Sequence, residues 1–393
     1  MKWKKALCVV LLLCLTMLVG CSSNRNGKKE ETNADMENTN QLKIVASIYA
    51  PYDLAKQVVG EYGQVTMLLP PGSESHTYEP TPQDIISIQD CDVFVYVGGE
   101  SDTWIKDVLD DIDTSDVKII SLMDQVDLLE EEVVEGMELQ EHTHEEEMEE
   151  HEHEEEIQSE ESHKHEEEMQ SEKSYEHDDA EYDEHIWTSP KNAISIVEHF
   201  QEVFMEVDTE HKDAYQTQGD AYIEQLQELD KEFREVVENG ERDTLIFGDR
   251  FPLRYFVEEY GLKYYAAFPG CAEDTEPSAA TVAFLIDKVR EEQIPVVFHI
   301  ELSNENMTDT ICDSTGATKE VFYSCHNISK EDFEKGVTYL ELMKQNVKVL
   351  RKALGSKAEY RQDTGGTTWH YYNVKMFVWG MKARLCFQML IFR

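Results

Sequence analysis

The chain has 393 residues, with 35 Lys and Arg against 82 Asp and Glu, a formal net charge of −47. Such a surface repels phosphate backbones, which argues against a nucleic-acid partner, and it attracts cations. The length fits two domains of ordinary size together with flexible segments.

Residues 1–20 read as a signal peptide: Lys2, Lys4 and Lys5 precede an apolar run from Ala6 to Val19. That run is shorter than the roughly 17–25 residues that span a bilayer. Its end, Leu18-Val19-Gly20-Cys21, resembles the bacterial lipobox, which marks Cys21 for lipidation. Residues 21–41, rich in Ser, Asn, Lys and Glu, read as a lipidated flexible tether. The folded part is thereby expected outside the cytoplasmic membrane and held at its outer face. Cys91, Cys271, Cys312, Cys325 and Cys386 form no CxxC pair; one bridge among Cys271, Cys312 and Cys325 stays open.

Residues 42–207 read as an N-terminal α/β lobe. Lys43–Ile48, Gln64–Leu69, Asp92–Val97 and Val117–Ile120 are short apolar or β-branched runs, and Pro51–Gly60, Pro82–Gln89 and Thr103–Ile112 read as helices between them. Alternation of this kind predicts a parallel sheet with helical crossovers. Residues 130–184 interrupt it as an acidic, His-rich loop expected to be disordered, after which Pro190–Val207 is helical. Residues 208–239 carry Tyr215, Tyr222, Leu226, Leu229, Phe233 and Val236 along one helical seam, with Asp208 as cap. A helix of that length measures about 40–45 Å and bridges two lobes.

Residues 240–356 repeat the alternation. Thr244–Phe247, Lys263–Ala267, Pro295–Ile300 and Thr318–Tyr323 read as strands. Pro252–Tyr260, Ser278–Arg290, Glu305–Ser314 and Lys330–Leu354 read as helices. The fold class is therefore α/β, two lobes with parallel-type sheets and flanking helices, and a site in the cleft between them. The tail 357–393 is aromatic and basic, unlike the acidic body, and receives no role.

Two stretches carry the chemistry. Pro70 to Pro82 is a Pro- and Gly-rich loop after an apolar strand, and it places His76 where α/β sheets bind ligands. A histidine there is a metal-ligand or general-base candidate. Further on, His142, His144, His151, His153, His163, His165 and His177 stand among glutamates in a composition that buries no core. His-x-His pairs beside carboxylates bind borderline cations such as Zn²⁺ weakly and exchangeably. His185, by contrast, stands in Tyr182-Asp183-Glu184-His185-Ile186-Trp187-Thr188-Ser189-Pro190, at the entrance to an ordered helix capped by Ser189.

Gly72-Ser73-Glu74-Ser75-His76-Thr77-Tyr78-Glu79-Pro80-Thr81-Pro82 and Asp183 to Pro190 resemble the two histidine motifs of the zinc/manganese ABC-transporter solute-binding lipoproteins. The stretch ending Tyr260-Gly261-Leu262, and Thr275-Glu276-Pro277-Ser278, match as well, so the resemblance covers roughly Leu42 to Leu354. It implies a cation held between two lobes and delivered to a membrane permease with its cytoplasmic ATPase. In the register of the family's third histidine this chain has Arg250, which stays protonated and ligates no metal. Asp249 is one substitute. Strand alternation puts Val297, His299 and Glu301 on one face, with Glu301 at the strand's end. His326 stands where the family places a carboxylate ligand.

The expected ligands are thus His76, His185 and His326, with Glu301 as a fourth ligand or as a supporting partner, and Asp249 as the alternative. Three imidazoles with a carboxylate suit Zn²⁺, whereas two imidazoles with two carboxylates lean to Mn²⁺. The expected protein is a monomeric, lipid-anchored metal receptor with no chemical step. A surface metal buffer or adhesin, or a secreted zinc hydrolase, are the alternatives; no HExxH motif supports the last.

Overall fold

In a computed structural model of the protein, residues 41–73, 78–137, 181–270 and 277–357 are described. The first lobe holds β1 (Leu42–Ala46), α1 (Tyr49–Val59), β2 (Gly63–Met67), α2 (Pro82–Gln89), β3 (Val93–Tyr96), α3 (Thr103–Asp111) and β4 (Lys118–Ser121). Helices α4 (Pro190–Val207) and α5 (Lys212–Asn239) follow. The second lobe holds β5 (Thr244–Phe251), α6 (Arg254–Tyr260), β6 (Lys263–Pro269), α7 (Ala279–Glu291), β7 (Val296–His299), α8 (Asn306–Thr315), β8 (Thr318–Val321), α9 (Lys330–Lys335) and α10 (Tyr339–Leu354).

Both sheets have four strands and one topology, β2-β1-β3-β4 and β6-β5-β7-β8, and every pair is parallel. In each, the chain steps outward on one side of the first strand and then returns to build the other. Connections on the two sides leave in opposite directions, which opens a crevice at the strands' carboxyl ends. The central strand β5 is buried along its whole length, as a parallel strand covered on both faces must be.

Helix α5 joins the lobes through its apolar seam. Tyr215, Tyr222, Leu226, Leu229, Phe233 and Val236 are all buried, with Gly219 and Ile223 beside them. One continuous core runs from Leu42 and Ile44 of the first sheet through this seam to Phe247 and Phe298 of the second and Phe322 just beyond β8. Removal of that apolar surface from water, about 1.5–3 kcal/mol per large side chain, holds the lobes to a common spine.

Local chemistry sets the boundaries. Thr81 and Asp84 form a capping box at α2, with Pro82 at its first position, and Ser189 accepts from the Asn192 amide to start α4. Three expectations shift. Asp208 does not cap α5; its carboxylate accepts instead from His211 Nδ1 (2.7 Å) and the Tyr215 hydroxyl (2.7 Å), and the helix begins at Lys212. Lys330–Leu354 is two helices rather than one, because Gly336 takes a left-handed conformation (φ 72°) that ends α9 and a Thr338–Glu341 capping box restarts the chain.

The loop assigned to 130–184 is also ordered at both ends. Glu130 pairs with Tyr182 in an antiparallel bridge, the Glu131 amide donates to Glu181 O (2.8 Å) and the Asp183 amide to Leu129 O (3.0 Å). Among the described residues, no helix is long and apolar enough to cross a membrane. The signal and tether with Cys21, the histidines His142 to His177, His76, Cys271 and the tail beyond Lys357 lie outside the described residues. Cys91, Cys312 and Cys325 are free thiols.

Candidate metal centre

His185 is fixed by its own side chain. It follows the 129–131/181–183 ladder and opens a short 3-10 turn, Ile186–Thr188, in front of α4. Asp183 Oδ1 accepts from the His185 amide (2.8 Å) and lies 3.2 Å from His185 Nδ1. That contact puts the imidazole proton on Nδ1 and leaves the Nε2 lone pair for a ligand. The Thr188 hydroxyl donates to His185 O, and the Tyr255 hydroxyl donates to Asp183 O.

The ring is fully buried, and among the described residues its Nε2 has no hydrogen-bond partner. An orphaned buried nitrogen costs free energy unless something satisfies it. Burial by itself depresses the imidazolium, but the charge and hydrogen bond of Asp183, with Glu184 and Glu131, outweigh it and raise the pKa. A proton therefore competes with any cation for this nitrogen at acid pH. Gly270, at the end of β6, leaves room for the ring: a Cβ there would lie 3.1 Å from His185 Cε1.

His326 is fixed through its backbone. The chain leaves β8 and turns at Cys325, whose φ of 60° is strained for a residue with a Cβ. Glu301 holds that turn. Its Oε2 accepts from the Ser324 amide (2.7 Å), and its Oε1 from the Ser324 hydroxyl (2.7 Å) and the His326 amide (3.1 Å). Burial raises the Glu301 carboxyl, and these donors oppose the shift. Next to it Leu302, at φ 62°, is a second left-handed residue on the lip of the site. The His326 ring lies edge-on to His185 (centroids 5.2 Å) and to Trp187 (5.3 Å), and Trp187 Nε1 donates to Ser324 O (2.8 Å), tying the two histidine segments together.

Glu184 completes a cluster. One ligand atom each from Glu184, His185 and His326 lies within 4.8 Å of the others. Glu184 is buried, and its carboxylate accepts from the Ser101 amide (3.0 Å) and the Ser101 hydroxyl (2.5 Å) of the turn after β3. Asp102 beside it accepts from the Val97 amide (2.6 Å) and the Gly98 amide, and burial together with the Glu184 charge pushes it up to about 7.

A cavity of about 30 Å³ adjoins the two histidines, lined from the first lobe by Ser73 and from the second by Arg250, Gly270, Glu301 and Asn327. That is room for one or two water-sized occupants, enough for an ion and far below what an organic solute needs. Asn327 Nδ2 donates to Ser73 O (2.5 Å) and the Gly72 amide to Ile328 O (2.8 Å), so Gly72 and Ser73 of the first lobe are tied to the His326 segment of the second.

Of the residues singled out in the sequence, His185 and His326 are brought together. Glu301 lines the same cavity, but its oxygens serve the Ser324–His326 turn and it is not in the cluster. Asp249 belongs neither to the cluster nor to the cavity lining, whereas Glu184 belongs to the cluster but not to the lining; Asp249 accepts from the Ile300 amide (2.9 Å) and the Arg250 amide (2.8 Å) at the end of β5. Glu184 was missed although it adjoins His185, because nothing in the sequence connects it with Ser101.

The zinc-uptake complex component A (periplasmic) family, ZnuA, matches residues 44–353. The zinc-binding lipoprotein AdcA of Streptococcus pneumoniae is 30% identical over 352 residues, which are 89% of this chain and 61% of that protein. The high-affinity zinc uptake system protein ZnuA of Bacillus subtilis is 30% identical over 345 residues, covering 88% of this chain and 96% of that one. The chain thus spans about three-fifths of the pneumococcal relative and nearly all of the Bacillus one. The crystal structure of the Zn(II)-bound ZnuA-like domain of S. pneumoniae AdcA aligns with a TM-score of 0.61 at 27% identity, over 80% of this chain and 99% of that domain. By the reach of the family match and the identity over most of its length, the chain belongs to the ZnuA family.

Proposed function

We propose that this protein is the extracytoplasmic zinc-binding component of an ABC metal-uptake transporter, capturing Zn²⁺ between its lobes and delivering it to the membrane permease and its ATPase. The observation that carries this reading is His185, whose Nε2 is buried and unpartnered among the described residues and which shares with Glu184 and His326 a cluster of ligand atoms within 4.8 Å of one another. His185, His326, His76 and the carboxylate of Glu184 form the ligand set, three imidazoles and one oxygen, which suits tetrahedral zinc. Glu301 supports His326, and Asp183 supports His185.

Cys21 anchors the chain to the outer face of the membrane. The histidines from His142 to His177 form an exchangeable store joined to the site by the 129–131/181–183 ladder. The protein acts as a monomer and performs no chemical step: binding is reversible, and delivery needs only a difference in affinity between the free and the permease-bound protein.

Competition with a chelating dye tests this reading on three forms: the whole chain, the chain with 138–180 replaced by a short Gly/Ser linker, and His185→Ala. The expected result is one tight zinc site that survives removal of the tract and is lost in His185→Ala. Disappearance of the tight site with the tract would make the protein a metal buffer. Tighter manganese than zinc would make it a manganese receptor.

A further inference from the structure

We propose that Ser101 is a positioning residue that restricts Glu184 to one metal-binding oxygen, and that this clamp gives the site its preference for a four-coordinate cation. The proposal rests on the preceding reading, that a divalent cation binds at His185 and His326.

Ser101 and Glu184 are 83 residues apart in the chain, yet they meet through two hydrogen bonds, the amide to Oε2 at 3.0 Å and the hydroxyl to Oε1 at 2.5 Å. The surroundings are shaped for this contact. A Cβ on Gly99 would lie 2.2 Å from Glu184 Oε2 and 2.3 Å from its Cβ, so only glycine admits the carboxylate there. Asp102, through the amides of Val97 and Gly98, pins the turn that presents Ser101.

A carboxylate offers four lone-pair positions, two on each oxygen. Two donors from one residue reach both oxygens together only from the side where the inner lone pairs of the two oxygens converge. A chelated metal would use that same side. With it filled, the remaining lone pairs point away from each other, and an ion that also touches His185 and His326 meets only one of them. Zinc accepts a four-coordinate set in which imidazoles are joined by a single carboxylate oxygen, whereas manganese favours six positions rich in oxygen and gains from a chelating carboxylate. Ser101 touches no ion in this scheme; it acts through Glu184.

The test uses the full chain loaded with Zn²⁺, Mn²⁺ or Co²⁺, comparing wild type, Ser101→Ala, Ser101→Thr and Glu184→Gln. Affinities come from dye competition, and the visible spectrum of Co²⁺ reports coordination number, four-coordinate cobalt absorbing far more strongly than six-coordinate. Ser101→Ala is expected to weaken zinc by about 10-fold, tighten manganese and reduce the Co²⁺ absorption. Ser101→Thr keeps the hydroxyl and should keep the wild-type ratio and spectrum. Glu184→Gln should weaken zinc by about 10-fold or more.

An unchanged zinc-to-manganese ratio and Co²⁺ spectrum in Ser101→Ala would overturn the proposal, as would wild-type zinc affinity in Glu184→Gln. Either could occur while wild type still loses its tight site in His185→Ala, so the zinc-receptor reading would stand. Absence of any tight site in wild type would remove both.

Discussion

The two histidines of the site are held in opposite ways. His185 is set by its own ring: Asp183 fixes the tautomer, Gly270 leaves the space, and burial does the rest. His326 is only partly buried and is set by its backbone, through a strained turn at Cys325 that Glu301 holds with three hydrogen bonds. One histidine is therefore tuned through charge and the other through shape. A substitution on the first side should alter affinity alone; one on the second should alter affinity and stability together.

The largest expected effect follows from Glu301→Gln. The amide keeps one acceptor oxygen but sets an N–H₂ against a backbone N–H, leaving a donor unmet at a cost of about 1–3 kcal/mol. Zinc affinity should fall about 10–100-fold and the thermal midpoint should drop with it, read by dye competition and calorimetry. A loss of affinity at unchanged stability would mean that Glu301 touches the ion directly.

Asp183→Asn isolates the other side. Both contacts to His185 use Oδ1, which asparagine retains, so the geometry survives and the charge behind the imidazole is lost. Zinc should weaken about 10-fold with the melting temperature near wild type. Gly270→Ala is a milder probe of the same side: its methyl would lie 3.1–3.2 Å from the His185 ring and 3.1 Å from Pro252 Cα. A shift of a few tenths of an ångström relieves it, and an affinity loss of about threefold or less is expected, within the cost of a small repacking strain.

The smallest effect on zinc is expected beneath both segments. Tyr339 donates its hydroxyl to Trp187 O and its amide to Asp53, whose carboxyl burial pushes up to about 6 against the opposing Tyr339 and Gln57 hydrogen bonds. A carboxyl raised in the folded state adds stability below its unfolded pKa of about 4 and loses it as pH rises to about 6. The loss is on the order of 3 kcal/mol over that window, at about 1.4 kcal/mol per pKa unit. Asp53→Asn should flatten the fall in denaturant stability between about pH 4 and 6 while leaving zinc affinity at neutral pH unchanged. Identical pH slopes for the two proteins would show that Asp53 ionises normally.

Much of this was legible in the sequence because it is local. Alternating apolar runs and helical seams gave two α/β lobes, and Pro82 and Ser189-Pro190 announced two helix starts, since caps and periods are interactions among near neighbours. The motif around His185 and the strand-end position of His326 marked both as candidates. The sequence did not show which way neighbouring carboxylates face. Glu301 stands at a strand end beside the cleft, yet it turns to the Ser324–His326 turn. Glu184, one residue before His185, instead enters the cluster because Ser101 and Gly99 receive it.

By itself, then, the sequence determined most of the elements and the two lobes, and it marked the two histidines as candidates. Only the tertiary structure decided their partners: Ser101 with Glu184, Glu301 with His326, Asn327 with Ser73 and Leu129 with Asp183. Such contacts join residues between 25 and 254 positions apart. They leave no periodic or local signature: three of them form only when each lobe folds its strand-end loops together, and Asn327 with Ser73 only once the carboxyl ends of two separate sheets have been brought to the same place.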